Sequence, residues 1–174
     1  IYIEWKDSIL FQRVRHPLHP REGGGINPEE AYNNSIELTK QVISIYTNWV
    51  KGHKFCGEVE SVEMPKYADA DYLILYDQEF DHYVEVKIRY HVLGNYRLEK
   101  IPFRKFAFAY TMKNNYSRNT FYLTRWEDGK IGFIDLSKDP DRVDEMVARH
   151  DRGWEKDLYA FYDISRFQII TYWP

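Results

Sequence analysis

The sequence predicts an α/β fold, a central β-sheet with helices packed against it, and three observations carry that expectation. A segment beginning near Asn27 places apolar residues at helical spacing. Two β-branched and aromatic runs joined by a short polar connection follow at residues 72–88. A second apolar helical segment, near residue 103, then leads into further strand-like runs. With 174 residues the chain is long enough to bury a substantial core and reads as one domain, 1–174.

Taken in order, residues 1–26 form a lead-in segment. It opens with a possible strand at 1–5 and continues as a loop containing His16, Pro17, His19, Pro20 and three glycines at 23–25. Pro17 separates the two histidines, which favours a loop over a metal site. The glycines fit neither a dinucleotide-binding nor a Walker pattern, so no nucleotide role follows. Asn27 suits a helix cap, Pro28 the first helical position and Glu30 a capping-box acid. Leu38, Val42, Ile45, Tyr46 and Trp49 make the helix's apolar stripe, and Gly52 is a terminator. Glu37 lies beside the stripe and reads as a surface glutamate, with reach toward a metal site as the alternative.

Residues 55–64 read as a strand in which Glu58 and Glu60 share a face with Cys56, and Pro65 breaks it. The two glutamates fit a supporting role at a site and a plain solvent-facing edge equally well. Residues 72–76 and 83–88 read as a β-hairpin around a polar connection at 77–81. Alternation sends Val84, Val86 and Ile88 to one face and Tyr83, Glu85, Lys87 and Arg89 to the other. A loop is predicted at 91–100, and Ile101-Pro102 opens a second helix that ends at residues 113–115. Its sheet-facing residues are Phe103, Phe106, Ala107 and Tyr110, with Arg104 and Lys105 off that face. Asp128-Gly129 marks a hairpin between strands at 121–126 and 131–136. Asp139-Pro140 predicts a short helix carrying Val143, Met146 and Val147, and strands at 159–164 and 167–172 close the chain.

Net charge is −3, so the molecule as a whole is no obvious polyanion binder. The distribution is uneven. Between Lys87 and Arg118 the only acid is Glu99, among Lys87, Arg89, Arg97, Lys100, Arg104, Lys105, Lys113 and Arg118. Acids gather after Trp126. A basic span beside an acidic site suits a substrate with a phosphate backbone, and a solvated basic face is the plain alternative. No apolar run approaches the roughly 20 residues that cross a bilayer, and no signal peptide is evident, so no membrane partner is expected. A single cysteine, Cys56, excludes an internal disulfide and fits a reducing, cytoplasmic compartment. The chain opens on Ile1, which fits a domain from a longer protein or a processed chain.

The hairpin holds the residues with chemistry. Asp69 and Asp71 precede its first strand, and Glu85-Val86-Lys87 lies in its second. Glu-x-Lys alone recurs on many surface strands. Here it follows an aspartate, in a hairpin, after an amphipathic helix and before a basic one. In this arrangement Ala70-Asp71 and Glu85-Val86-Lys87 resemble the PD-(D/E)XK nuclease superfamily, with Ala70 where the motif has proline.

The resemblance implies a central mixed β-sheet flanked by helices. Its restriction-endonuclease-like αβββαβ core would span 27–126, and 127–174 would form a C-terminal β/α extension. It implies a metal-dependent nuclease that hydrolyses phosphodiester bonds in DNA, endonuclease rather than exonuclease, with Mg²⁺ or Mn²⁺ as cofactor. Asp71, Glu85 and the Val86 carbonyl would be metal ligands, and Asp71, Glu85 and Lys87 the catalytic residues, with Lys87 near the phosphate. Asp69 is then an auxiliary ligand or a loop acid. Arg89, Arg97, Lys100, Arg104 and Lys105 are candidate contacts to the nucleic-acid backbone. A homodimer is compatible with the resemblance. Competing readings are a surface salt bridge to Lys87, a nucleic-acid-binding module without catalysis, and a protein-interaction domain using the tyrosines and tryptophans.

Overall fold

The computed structural model describes residues 28–53, 57–150 and 153–172. The predicted strand at 1–5, His16, His19, the glycines at 23–25, the helix cap Asn27 and Cys56 lie outside the described residues. Helix α1, Pro28–His53, forms where the capping and spacing signals place it and runs one residue past Gly52. Lys51 and His53 in its last turn suit the negative end of the helix dipole. Its inward stripe is Val42, Ile43, Tyr46 and Val50, all buried, with Leu38, Ile45 and Trp49 packed alongside.

Strands β1 (Val59–Glu63), β2 (Tyr72–Tyr76) and β3 (Glu79–Ile88) follow as an antiparallel run. The β2–β3 connection is tighter than the predicted 77–81. Only Asp77 and Gln78 turn, with φ of 50° and 66°, the pattern of a two-residue type I′ hairpin. The Asp77 carboxylate accepts from the Glu58 amide at 2.8 Å and ties the turn to β1. Glu79 to Asp81 therefore belong to β3.

Next come β4 (Leu98–Pro102), α2 (Phe103–Tyr116), β5 (Asn119–Arg125) and β6 (Lys130–Asp135). Strand β5 returns parallel to β3, which makes the sheet mixed. The β5–β6 hairpin turns at Gly129, whose φ of 80° favours glycine, as the Asp-Gly signal predicts. Strands β7 (Arg142–His150), β8 (Gly153–Asp163) and β9 (Gln168–Tyr172) complete the chain, with one 3-10 turn, Ile164–Arg166. The described strands form a six-stranded sheet, β1-β2-β3-β5-β6-β9, and a three-stranded sheet, β4-β8-β7. The αβββαβ order is present, with β4 inserted before α2.

Three expectations need correction. Residues 98–102, expected as loop and helix start, form β4, because β8 supplies an antiparallel partner from far along the chain. Ile101 is fully buried there, and Pro102 keeps an extended backbone (φ −54°, ψ 131°) before the helix begins. Residues 142–150, expected in part as a helix, form β7, which pairs with β8 along its whole length. The apolar spacing of Val143, Met146 and Val147 admits a helix locally. The strand partner and the stacking of Arg142 over Phe161, 4.4 Å from the ring centre, favour the extended form. The described part of the extension is thus β-structure with a single 3-10 turn.

Two cores lie on opposite faces of the larger sheet. Against α1 pack Tyr72, Ile74, Val84, Val86, Ile88, Leu123 and Ile131. Burying each such aliphatic side chain contributes about 1.5–3 kcal/mol. One polar seam crosses this core, where the Tyr46 hydroxyl meets His82 Nε2 at 3.0 Å and His82 Nδ1 meets Asp81 at 2.6 Å. Against α2 and the smaller sheet pack Tyr122, Trp126, Ile134 and Leu136, together with Ile101, Ala109, Ala160, Tyr162 and Phe167. Among the described residues no helix is long and apolar enough to cross a membrane.

Candidate active site

The site grows from the open end of the β2–β3 pair. Tyr72 pairs with Val84, so Asp71, one residue before β2, comes abreast of Glu85. Two hydrogen bonds hold it there. The Asp71 amide donates to the Val84 carbonyl at 3.1 Å, and the Asp71 carboxylate accepts from the Val86 amide at 2.8 Å. The side chain thus takes over a ladder position that the backbone leaves at the strand's end. In a strand the carbonyl of a residue points to the same side as its amide, so that of Val86 turns toward Asp71. Ala70, where the motif has proline, is buried.

Glu85 and Lys87 leave β3 on the α2 side, as alternation predicts. Glu85 is buried and Lys87 half-buried, the latter beside Thr124 of β5 in the parallel register. Burial pushes the Tyr72 hydroxyl up to about 12, helped by the charges of Glu63 and Asp71, so it stays protonated at neutral pH.

The basic residues divide. Arg97 is exposed and meets Asp163 at 3.1 Å, Arg104 is exposed, and Lys100 lies half-buried over the Tyr159 ring at 4.5 Å. Arg89, expected to extend the Glu85–Lys87 face toward phosphate, is instead buried. It is ion-paired with Glu99 and also donates to the Lys100 carbonyl at 2.8 Å and the Tyr122 hydroxyl at 3.3 Å. Lys105, expected off the apolar face, is only 2% exposed. Its ammonium donates to Glu85 Oε2 at 2.9 Å and to the Asp69 carbonyl at 3.0 Å. The predicted stripe of α2 holds in part: Phe103 and Phe106 pack against the core, but the fully inward positions are Lys105 and Ala109, and Tyr110 is half-exposed. Nearly every position from Phe103 to Tyr110 is apolar or aromatic, so periodicity does not single out one face. Of the helix's two alanines, Ala109 is the one that is fully buried.

Glu37 is exposed on α1, accepting from Gln41 at 3.3 Å, and Glu58 and Glu60 are exposed at the β1 edge. Asp69 reaches this network through its backbone carbonyl. Sequence reasoning missed both buried ion pairs. Glu99, the lone acid of the basic span, was the available signal for one of them.

Among the described residues no three His, Cys, Asp or Glu side chains gather as a metal cluster. Asp71, Glu85 and the Val86 carbonyl would together offer oxygen donors alone. Such a set fits a hard cation such as Mg²⁺, which binds one or two carboxylates and keeps several waters.

A family model described as "Phage putative PDDEXK endonuclease" matches residues 34–170. The chain belongs to this family. The match runs from within α1 to β9 and so takes in both sheets and the Asp71/Glu85-Val86-Lys87 arrangement. Membership supports a nuclease activity at the level of the family. No curated protein and no solved structure matches the chain.

Proposed function

We propose that the chain is a divalent-metal-dependent endonuclease that hydrolyses phosphodiester bonds in DNA. The observation that supports this best is the hydrogen bond from the Val86 amide to the Asp71 carboxylate. It draws the two separated parts of the motif together. Asp71, Glu85 and the Val86 carbonyl would hold Mg²⁺ or Mn²⁺. When bound, the ion supplies positive charge against the phosphate and lowers the pKa of water.

The chain's own residues do the rest. Asp71, fixed by Val86, and Glu85, fixed by Lys105, present carboxylates from adjacent strands. Lys87 orients the scissile phosphate and stabilises charge developing on it. Arg97, Lys100 and Arg104 contact the nucleic-acid backbone and position it without reading bases. Lys105 is assigned to the Glu85 pair and Arg89 to the Glu99 pair, rather than to DNA.

Asp71→Asn keeps an oxygen for the Val86 amide while removing the charge, and Lys87→Ala removes the ammonium. Each should lower Mn²⁺- or Mg²⁺-dependent nicking of supercoiled plasmid by about 10²–10³-fold, with circular dichroism unchanged. Nicking at the wild-type rate in both variants would refute the site. Metal-dependent release of nucleotides from linear ends, with closed circles left intact, would make the enzyme an exonuclease. Salt-sensitive DNA binding by the wild type, without any cleavage, would favour a non-catalytic binding module.

A further inference from the structure

Lys105 lies outside the D…ExK motif, on α2, yet it is among the most buried charged side chains described, at 2% exposure. Its ammonium joins three elements. It is carried by α2, pairs with Glu85 of β3 at 2.9 Å, and donates to the carbonyl of Asp69 at 3.0 Å in the segment leading to β2. This one group thus touches one of the two acids in the proposed site and the segment that leads to the other. Glu85 is held directly. Asp71 is held two residues downstream of the captured Asp69 carbonyl, where its carboxylate accepts from Val86. Ala109, one turn along α2 and fully buried, lets the helix approach closely enough for the lysine to reach.

A buried ammonium between a carboxylate and a carbonyl is costly unless both contacts are kept. That cost makes the geometry stiff, because any shift of Glu85 or of the Asp69 segment leaves a charge unpaired. On these grounds we propose that Lys105 is a positioning residue that pre-organises the Asp71–Glu85 carboxylate pair for a divalent cation. The proposal rests on the reading of those two acids as metal ligands. Residues that orient ligands from behind affect metal affinity or activity by about 10–100-fold.

Lys105→Met keeps the length of the side chain and removes its charge and donors. Two measurements test it. In metal-free protein, hydrogen exchange of the Val86 amide should quicken by roughly tenfold, as for a local restraint lost, while amides along the rest of β3 keep their wild-type protection. In calorimetric titration with Mn²⁺ alone, affinity should fall by about 10–100-fold. Lys105→Gln, which retains a donor, should recover part of both, and it carries the same measurements if Lys105→Met does not fold. Unchanged exchange at Val86, exchange quickened throughout β3, or Mn²⁺ affinity equal to or tighter than wild type would each overturn the positioning role. Wild-type protein that binds no Mn²⁺ would instead overturn the metal-site reading, and the exchange result would still decide whether Lys105 restrains Asp71.

Discussion

On the α1 side of β3, Val84, Val86 and Ile88 meet the helix stripe and bury hydrocarbon alone. On the α2 side, Glu85 and, just past the strand's end, Arg89 are equally buried, paired with Lys105 and Glu99, while Lys87 between them is half-buried. Ten residues of one strand therefore serve two different ends. The apolar side gains stability from area removed from water. The charged side gains little from its pairs, since desolvation offsets much of their attraction. What it gains is fixed geometry, each charge being held where its partner is. A strand with charges on a buried face is a poor way to build a core and a good way to build a site.

Three substitutions probe that contrast, the largest effect first. Glu99→Gln removes the partner of buried Arg89 and should cost about 3–5 kcal/mol, read as a lower urea midpoint. A loss below about 1 kcal/mol would mean that the pair behaves like a surface bridge and that the two faces differ less than their burial suggests. Ile88→Val on the apolar face should cost only about 0.5–1.5 kcal/mol, with metal-dependent cleavage unchanged. A cleavage defect there would show the faces to be coupled through the strand.

The smallest effect belongs to the exposed pair of Arg97 and Asp163. Bonds from the Ser165 amide and hydroxyl, and then from Arg97, lower the Asp163 carboxyl from 3.8 to about 2. A depressed folded-state pKa stabilises above the unfolded value and loses that contribution as pH falls through the folded one. The difference in urea midpoint between wild type and Asp163→Asn should therefore be small and constant at neutral pH, begin to shrink below about pH 4 and fade as pH falls through the folded-state value. A difference that does not shrink between about pH 4 and about pH 2 would assign the effect to packing rather than charge.

Much of this molecule was legible from local pattern. The apolar spacing of α1, the alternation in β3 and the Asp-Gly turn between β5 and β6 are short-range signals, and each appears in the fold. The Asp71/Glu85-Val86-Lys87 arrangement was legible too, because the hairpin register brings its parts together over a short stretch of chain. The misreadings share a cause. Residues 98–102 and 142–150 take their conformation from β8, a partner distant in sequence, and local spacing could not choose strand over the alternatives. On α2, where apolar and aromatic residues fall on more than one face of the first two turns, packing against distant strands turned Lys105 and Ala109 inward.

The sequence by itself determined which residues lie on which face of the hairpin, because alternation is a property of the backbone. It also determined that an aspartate and a Glu-x-Lys triplet would meet there, as short-range pairing costs little loop entropy. Only the tertiary structure decided which basic residues are buried against acids and which stay exposed. Lys105 and Arg104 are neighbours in sequence, yet one holds Glu85 and the other faces solvent. The rotation of a packed helix, set by contacts with distant strands, made that difference.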